Sequence, residues 1–135
     1  MRYIRQEIFS EIGKNGQKKI RDSAIAIVGL GALGSVSAEL LARAGIGKLV
    51  LIDRDIVELS NLQRQNLYEE KDIGKPKAFA AKEHLRKINN EVEFEAFAED
   101  LNYKNINTLL PIKKYIKNKI KNVELILDCT DNLET

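Results

Sequence analysis

The chain of 135 residues is predicted to have an α/β fold, with a mostly parallel, Rossmann-like sheet, helices on both faces and a preceding N-terminal helix. Three observations predict this fold. Short apolar segments alternate with amphipathic helical segments, a glycine-rich turn follows the first apolar segment directly, and polar residues follow the ends of several segments. The length fits one domain, which we expect to cover residues 1–135.

The first half of the chain predicts the order helix, strand, helix, strand. Residues 2–12 carry apolar residues at helical spacing, and the glycines at positions 13 and 16 are expected to end that helix. Residues 23–29 are apolar and rich in β-branched residues, so they predict a buried strand, and residues 48–53 predict a second buried strand. Residues 35–45 predict a helix that closes at Gly45. The polar residues 53–68 predict an ordered functional loop with one helical turn.

The second half predicts two further helix–strand pairs. Pro76 suits the first position of a helix through residue 89. Residues 91–98 alternate between apolar and polar side chains, which indicates a half-exposed strand near a sheet edge. Residues 103–121 contain six lysines and no acid, and predict an amphipathic helix with a solvated lysine face; a docking surface for an acidic partner is the alternative. Residues 123–128 predict the last strand.

Composition excludes several classes of protein. The chain has 22 Lys and Arg against 20 Asp and Glu, so a net charge of +2 gives no reason to expect nucleic acid as a partner. No apolar segment is long enough for a membrane span, and residues 1–14 lack the apolar core of a signal peptide. The single cysteine, Cys129, leaves no intrachain disulfide and no multi-cysteine zinc site. We therefore expect a cytoplasmic protein without membrane contact.

Gly29, Gly31 and Gly34 form a G-x-G-x-x-G pattern between a predicted strand and a predicted helix. Such glycines allow a tight turn and close approach of the backbone to a pyrophosphate, which the helix N-terminus also attracts. Asp53 lies at the end of the next strand, where an acid accepts hydrogen bonds from ribose hydroxyls. The alternative is a glycine turn without a ligand. The pattern predicts an adenosine phosphate and does not separate NAD from ATP.

Charged residues beyond the glycine turn favour ATP over NAD. ATP carries about four negative charges and arrives with magnesium, so it needs cations on its phosphates and a carboxylate near the metal. Arg64 and Lys77 are predicted near the strand ends, and Asp131 follows a third strand. Asn61 adds a neutral hydrogen-bonding group. Taken singly, the two cations could be solvated and Asp131 could be a helix cap.

Four segments resemble successive motifs of the ThiF/MoeB/HesA family, the bacterial and archaeal relatives of ubiquitin-activating enzymes: IVGLGALGS, LIDRDIVELSNLQRQ, IGKPKA and LDCTDN. The resemblance implies an adenylyltransferase that uses Mg-ATP to activate the C-terminal glycine of a ubiquitin-like sulfur carrier protein. The product is an acyl-adenylate plus pyrophosphate, for thiamine, molybdopterin or related sulfur transfer. Residues 1–135 then correspond to a single ATP-binding domain, the N-terminal half of a longer family fold.

The resemblance also implies roles for individual residues. Arg5 resembles an arginine that reaches the partner subunit's site, which implies a homodimer, and Asp131 is expected to hold magnesium. The catalytic residues implied are Arg5, Arg64, Lys77 and Asp131. The nucleotide-binding residues implied are Gly29, Gly31, Ala32, Gly34, Asp53, Asp55, Ser60, Asn61, Arg64, Lys77, Asp131 and Asn132.

Ala32 replaces a glycine of many family members, and we expect only a slightly narrower phosphate turn. Zinc is expected only through a C-terminal half that this chain lacks. The rival functions are an NAD-dependent oxidoreductase and a non-catalytic nucleotide-binding or scaffold relative of activating enzymes.

We expect His84 to be a solvated helix residue and Cys129 to be an inert thiol whose pKa the nearby carboxylates raise.

Overall fold

The computed structural model describes residues 1–110 and 123–131 of the chain. The predicted lysine-lined helix falls mostly on residues 111–122, outside the described residues. The described elements are α1 (Ile4–Glu7), α2 (Gly13–Asp22), β1 (Ala24–Val28), α3 (Ala32–Ala44), β2 (Lys48–Ile52), α4 (Lys77–Ile88), β3 (Glu93–Phe97), α5 (Ile106–Leu109) and β4 (Leu125–Asp128), with 3₁₀ turns at Leu59–Asn61 and Glu70–Asp72.

The four described strands form one parallel sheet in the order β3-β2-β1-β4, as the alternation of strands and helices predicts. Val28 pairs with Ile52 on one side and with Asp128 on the other, so β1, β2 and β4 end at the same level. The residues that follow these three strands therefore emerge side by side. Ligands of parallel sheets bind at this edge.

Both faces of the central strands are covered, which explains their continuous apolar sequences. Ile27 and Leu51 belong to a core that α3 and α4 complete with Ala38, Ala81 and Leu85. Alternate residues of the same strands belong to a second core on the opposite face, together with Leu109 of α5. The expectation of helices on both faces is confirmed.

The N-terminal helix differs from its prediction. Its first part, α1, is a single turn, and a second helix, α2, begins at Gly13, where the glycines were expected to end the helix. The reason is local, because Gly13 adopts a left-handed φ of 59° and the chain turns there before continuing as a helix. The apolar side chains of this segment are partly exposed, with Ile8 64% accessible.

The two outer strands of the described sheet differ in burial from the central ones. β3 lies at an edge of the described sheet and is half-buried, as predicted: Phe94 is buried, Glu93 is exposed and the remaining three residues are intermediate. On β4, Leu125 and Ile126 are exposed. No helix among the described residues is long and apolar enough to cross a membrane.

Candidate functional site

A cleft of about 670 Å³ lies at the carboxyl ends of the strands. Gly29 follows β1, Asp53 follows β2 and Cys129 follows β4, and all three line it. The cleft is large enough for a nucleotide-sized ligand. Of the site residues predicted from sequence, those that line it are Gly29, Gly31, Ala32, Asp53, Asp55, Asn61, Arg64, Lys77 and Asp131.

The three glycines of the turn have different physical roles. Gly29 has a φ of +88°, and a Cβ there would lie 2.9 Å from the carbonyl of Cys129. A Cβ on Gly34 would lie 1.8 Å from the carbonyl oxygen of Gly29, so this buried glycine serves packing within the turn. A Cβ on Gly31 would contact only the Gln65 amide nitrogen, at 3.7 Å. Packing therefore requires the first and third glycines and leaves space at the second.

Two side chains from the segment after β2 hold the backbone of Leu30 through its N–H and its carbonyl group. Its N–H donates to Asp53 Oδ2 at 2.6 Å, and its carbonyl accepts from the Tyr68 hydroxyl at 2.7 Å. Burial and the nearby Asp53 carboxylate raise the pKa of Tyr68, so the hydroxyl keeps its proton. Tyr68 was not among the residues predicted from sequence, because nothing local distinguishes it from a core tyrosine.

Asp53 has a structural role in addition to its predicted one. Its Oδ1 accepts from the backbone N–H of Asp55 at 2.7 Å, while Oδ2 accepts from the glycine turn. Both carboxylate oxygens thus organise the loops around the cleft. Each oxygen has a second lone pair, which leaves acceptor capacity toward a ribose hydroxyl.

Lys77 is buried, which overturns the alternative of a solvated surface cation at this position. Its side chain is only 8% exposed, and its Nζ lies 3.6 Å from Asp55 Oδ2. The backbone N–H of Lys77 also donates to the Asp55 carbonyl at 2.9 Å. A partly desolvated ammonium group that faces a cleft attracts anions strongly.

Arg64 and its neighbours form the loop on the same side of the cleft. The exposed Arg64 donates from Nη1 to the carbonyl oxygen of Ser60 at 2.9 Å. The Asn61 side chain accepts from the Glu58 N–H at 2.9 Å, which stabilises the 3₁₀ turn. Ser60 lies outside the residues that line the cleft, and its hydroxyl donates to Glu58. This loop thus brings one exposed cation, Arg64, to the cleft.

The segment after β4 provides the carboxylate that the sequence predicts for a metal. Asp131 is exposed and lines the cleft, whereas Asn132 lies outside the described residues. Asp128 Oδ1 accepts from the hydroxyl and the backbone N–H of Thr130, and these two hydrogen bonds lower the pKa of its carboxyl group. No group of three His, Cys, Asp or Glu within the described ranges could hold a metal by itself. A magnesium ion here would rely on Asp131, phosphate oxygens and water.

Burial, with a contribution from Asp128, raises the pKa of the Cys129 thiol, although a hydrogen bond with Ser37 partly opposes this. The direction agrees with the sequence-based expectation, while the main cause is burial. A protonated thiol is a poor nucleophile, so Cys129 lines the cleft as a small side chain.

His84 is not the solvated residue that its sequence neighbours predict. Its side chain is 12% exposed, and Nε2 lies 2.7 Å from Oδ2 of the buried Asp72. Burial tends to raise the pKa of Asp72, but hydrogen bonds from the Glu69 N–H, Lys75 and His84 outweigh it and lower that pKa to about 2.

Arg5 lies on the exposed α1 and does not line the cleft of its own chain.

Gln65 is a cleft residue that the sequence-based prediction missed. The residue is 3% exposed and lines the cleft beside Gly31. Its Oε1 is buried without a hydrogen-bond partner in the part of the chain that the structure describes. The signal that could have identified it is its place at the end of the SNLQRQ segment.

The chain resembles known proteins over nearly its whole length. A family model described as the ThiF family matches residues 3–135. The sulfur carrier protein ThiS adenylyltransferase of Bacillus subtilis (strain 168) is 46% identical over 136 residues, which is 99% of this chain and 38% of the relative. The molybdopterin-synthase adenylyltransferase of Haemophilus influenzae is 38% identical over 134 residues, which is 99% of this chain and 51% of the relative.

A solved structure supports the same relationship. The E. coli tRNA N6-threonylcarbamoyladenosine dehydratase TcdA, in complex with ATP, superposes with a TM-score of 0.85 at 27% identity. The match covers 98% of this chain and 50% of that protein. The chain thus spans about half, or less, of the length of these relatives.

Proposed function

The chain belongs to the ThiF family, and on this premise we propose that it is the nucleotide-binding part of an ATP-dependent adenylyltransferase. The carboxylate activated is the C-terminal glycine of a small ubiquitin-like sulfur carrier protein, for thiamine, molybdopterin or related sulfur transfer. Relatives named as adenylyltransferases for ThiS and for molybdopterin synthase support this activity. Residues 1–135 act as one ATP-binding domain.

The observation that carries the proposal is the buried cation of Lys77 beside Asp55, with Arg64 and Asp131 at the same cleft. A dinucleotide pyrophosphate needs little beyond the helix N-terminus, whereas a triphosphate needs cations and a metal carboxylate. An NAD-dependent oxidoreductase would leave these charges without a role. A non-catalytic scaffold would have no need of a desolvated lysine.

The proposed reaction requires positioning and charge neutralisation rather than a base. One carboxylate oxygen of the carrier attacks the α-phosphorus of ATP, a P–O bond to the carrier forms, and the bond to the pyrophosphate leaving group breaks. The carboxylate is already ionised, so no proton has to be removed. The N-terminus of α3 and Gly31 receive the phosphates, Asp53 holds the ribose, and Lys77 and Arg64 offset the growing negative charge.

Magnesium fits the donor set, because Asp131 offers an exposed carboxylate at the cleft and a triphosphate supplies further oxygens. When bound, magnesium neutralises charge on the departing pyrophosphate. Arg5 is proposed to act in the cleft of a second subunit, since it does not line its own. The assembly is then a homodimer, and the proposed compartment is the cytoplasm.

Pyrophosphate exchange that depends on the carrier protein tests the activity. The protein in its native length should incorporate labelled pyrophosphate into ATP only when ThiS- or MoaD-type carrier is present. Asp131→Asn should reduce this exchange far more than ATP binding, because the metal acts most strongly as pyrophosphate leaves. Asp100→Asn, a change of the same kind at another exposed cleft residue, serves as the control. Tight NAD binding without any response to ATP would overturn the proposal.

A further inference from the structure

The single-turn helix α1, which carries Arg5, is attached to the domain by polar side chains. None of its four residues is buried. The Gln6 amide nitrogen donates to Gln17 Oε1 at 2.7 Å and to the Ala44 carbonyl oxygen at 3.0 Å. The Gln17 amide nitrogen donates to the same carbonyl oxygen at 3.0 Å. These two glutamines and the Ala44 carbonyl, here called the amide clamp, join α1, α2 and the last residue of α3.

Gln17 is the buried member of the amide clamp. It is 1% exposed, and both polar atoms of its carboxamide are hydrogen-bonded within the clamp. Capping of α3 does not require Gln17, because the Gln6 amide already donates to the Ala44 carbonyl, one of the C-terminal carbonyls that lack a partner inside a helix. The oxygen of Gln17 accepts the second N–H of the Gln6 amide. Gln17 therefore leaves the Gln6 side chain a single orientation.

The amide clamp holds Arg5 at the end of α3 that is remote from the cleft. Arg5 directly precedes Gln6 and is exposed. α3 begins at the glycine turn and runs for 13 residues to Ala44. At a rise of about 1.5 Å per residue its two ends lie about 20 Å apart, which is farther than an arginine side chain extends. The fold thus places Arg5 out of reach of the nucleotide cleft of its own chain.

We infer that Gln17 is a positioning residue, which acts through Gln6 to fix the direction in which Arg5 leaves α1, toward the cleft of a second copy of this chain. This inference rests on the proposed function, in which Arg5 acts in the other subunit of a homodimer. Successive helical residues point about 100° apart, so a fixed Gln6 defines the direction of its neighbour. A helix of one turn is not stable by itself in water, so this direction depends on the attachment.

Gln17→Met tests the inference in the protein of native length, because it removes both hydrogen bonds and keeps the volume. Carrier-dependent pyrophosphate exchange should fall by about tenfold or more, since a misplacement of about 1 Å can cost on the order of a hundredfold in rate. The double variant Arg5→Ala/Gln17→Met should be no slower than Arg5→Ala, because Gln17 acts only through Arg5. Lys18→Met, an exposed change in the same helix, is the matched control and should exchange at the wild-type rate.

Co-expression of two variants separates the positioning of Arg5 from damage to the substituted subunit. If Gln17 acts through Arg5 on the other subunit, the cleft of a Gln17→Met subunit is intact, and pairing with Lys77→Ala should partly restore exchange. Pairing with Arg5→Ala should restore nothing, because neither cleft then receives a correctly held Arg5. The reverse pattern, with rescue by Arg5→Ala and none by Lys77→Ala, would show that Gln17→Met damages its own cleft and would overturn the inference.

Gln6→Met breaks the amide clamp from α1 and should give the same pairing pattern, also if Gln17→Met does not fold. Wild-type exchange rates in the folded clamp variants would show that the inference is wrong. Failure of the proposed function is seen separately. In that case Arg5→Ala and Lys77→Ala would not complement each other, or the wild-type protein would not exchange pyrophosphate.

Discussion

The hydroxyl of Tyr68 donates a 2.7 Å hydrogen bond to the carbonyl oxygen of Leu30, 38 residues earlier in the chain. The backbone N–H of Leu30 in turn donates to Asp53 Oδ2 at 2.6 Å. The glycine turn is therefore held in one conformation from both sides before any ligand binds. Such preorganisation reduces the entropy that a ligand must lose when it is bound.

Removal of the Tyr68 hydroxyl should loosen this turn. Tyr68→Phe leaves the buried Leu30 carbonyl without its donor, so we expect a loss of about 1–3 kcal/mol in the free energy of unfolding. Chemical denaturation measures the loss, and ATP affinity should fall with it. Tyr103→Phe removes the same group from a side chain that is 83% exposed and should change neither quantity. Equal stability of the two variants would contradict the structural role of Tyr68.

Alanine at the second and third glycines of the turn should have opposite consequences. Gly31→Ala meets only one side-chain atom at 3.7 Å, so the variant should fold with nearly wild-type stability and lose ATP affinity. Gly34→Ala places a methyl group against the Gly29 carbonyl and should lower the melting temperature by several degrees. Thermal unfolding and calorimetry separate the two effects. Unchanged ATP affinity in a folded Gly31→Ala variant would remove that glycine from the nucleotide site.

Asp53→Ala should affect both stability and binding. The variant removes the acceptor of two backbone N–H groups, those of Leu30 and Asp55, and the proposed acceptor of the ribose hydroxyls. We expect ATP affinity to fall by about 1–3 kcal/mol, with a loss of unfolding free energy of similar size. Asp53→Asn keeps one acceptor oxygen and should show a smaller loss of stability. A stable Asp53→Ala variant with wild-type ATP affinity would argue against both roles.

The buried Asp72 should make stability depend on pH in the acidic range. Its pKa in the folded state, about 2, lies below its ordinary value of 3.8. A lowered folded-state pKa contributes stability that is complete above the unfolded-state value and is lost as the pH falls through the folded-state value. Unfolding free energies of the wild type and Asp72→Asn should therefore converge between pH 5 and pH 2. The difference at pH 6 should be on the order of 1–3 kcal/mol. A difference that did not depend on pH would contradict the lowered pKa of Asp72 and the stabilising role of its hydrogen bonds.

The proposed homodimer predicts complementation between two inactive variants. If Arg5 of one subunit acts in the cleft that contains Lys77 of the other, Arg5→Ala and Lys77→Ala each inactivate both sites of a dimer. A mixed dimer then holds one cleft with both residues intact, and exchange activity should partly return when the variants are mixed. Mixing Arg5→Ala with wild type controls for simple subunit exchange. A mixture that is no more active than either variant would place Arg5 in its own subunit or outside the site.

The positions of the strands, the glycine turn and the polar strand ends could be predicted from the sequence. Short, largely apolar segments such as residues 24–28 and 48–52 predict strands that are buried on both faces, and the structure places them at the centre of the sheet. A Cβ on Gly29 or Gly34 would meet atoms a few residues away or at the end of a neighbouring strand. The spacing of these glycines in the sequence is therefore enough to predict the turn. Parallel connection then brings Asp53 and Asp131 to the same edge.

Tertiary structure alone decided how individual side chains are used. Whether Lys77 is solvated or buried depends on Asp55, and whether His84 faces water depends on Asp72, which lies twelve residues earlier. The N-terminal segment has helical spacing, yet the positive φ of Gly13 starts a helix there instead of ending one. These outcomes depend on burial and on contacts between residues that are distant in the sequence. The spacing of residues predicts helices and strands, but it does not specify which polar side chains are buried against each other.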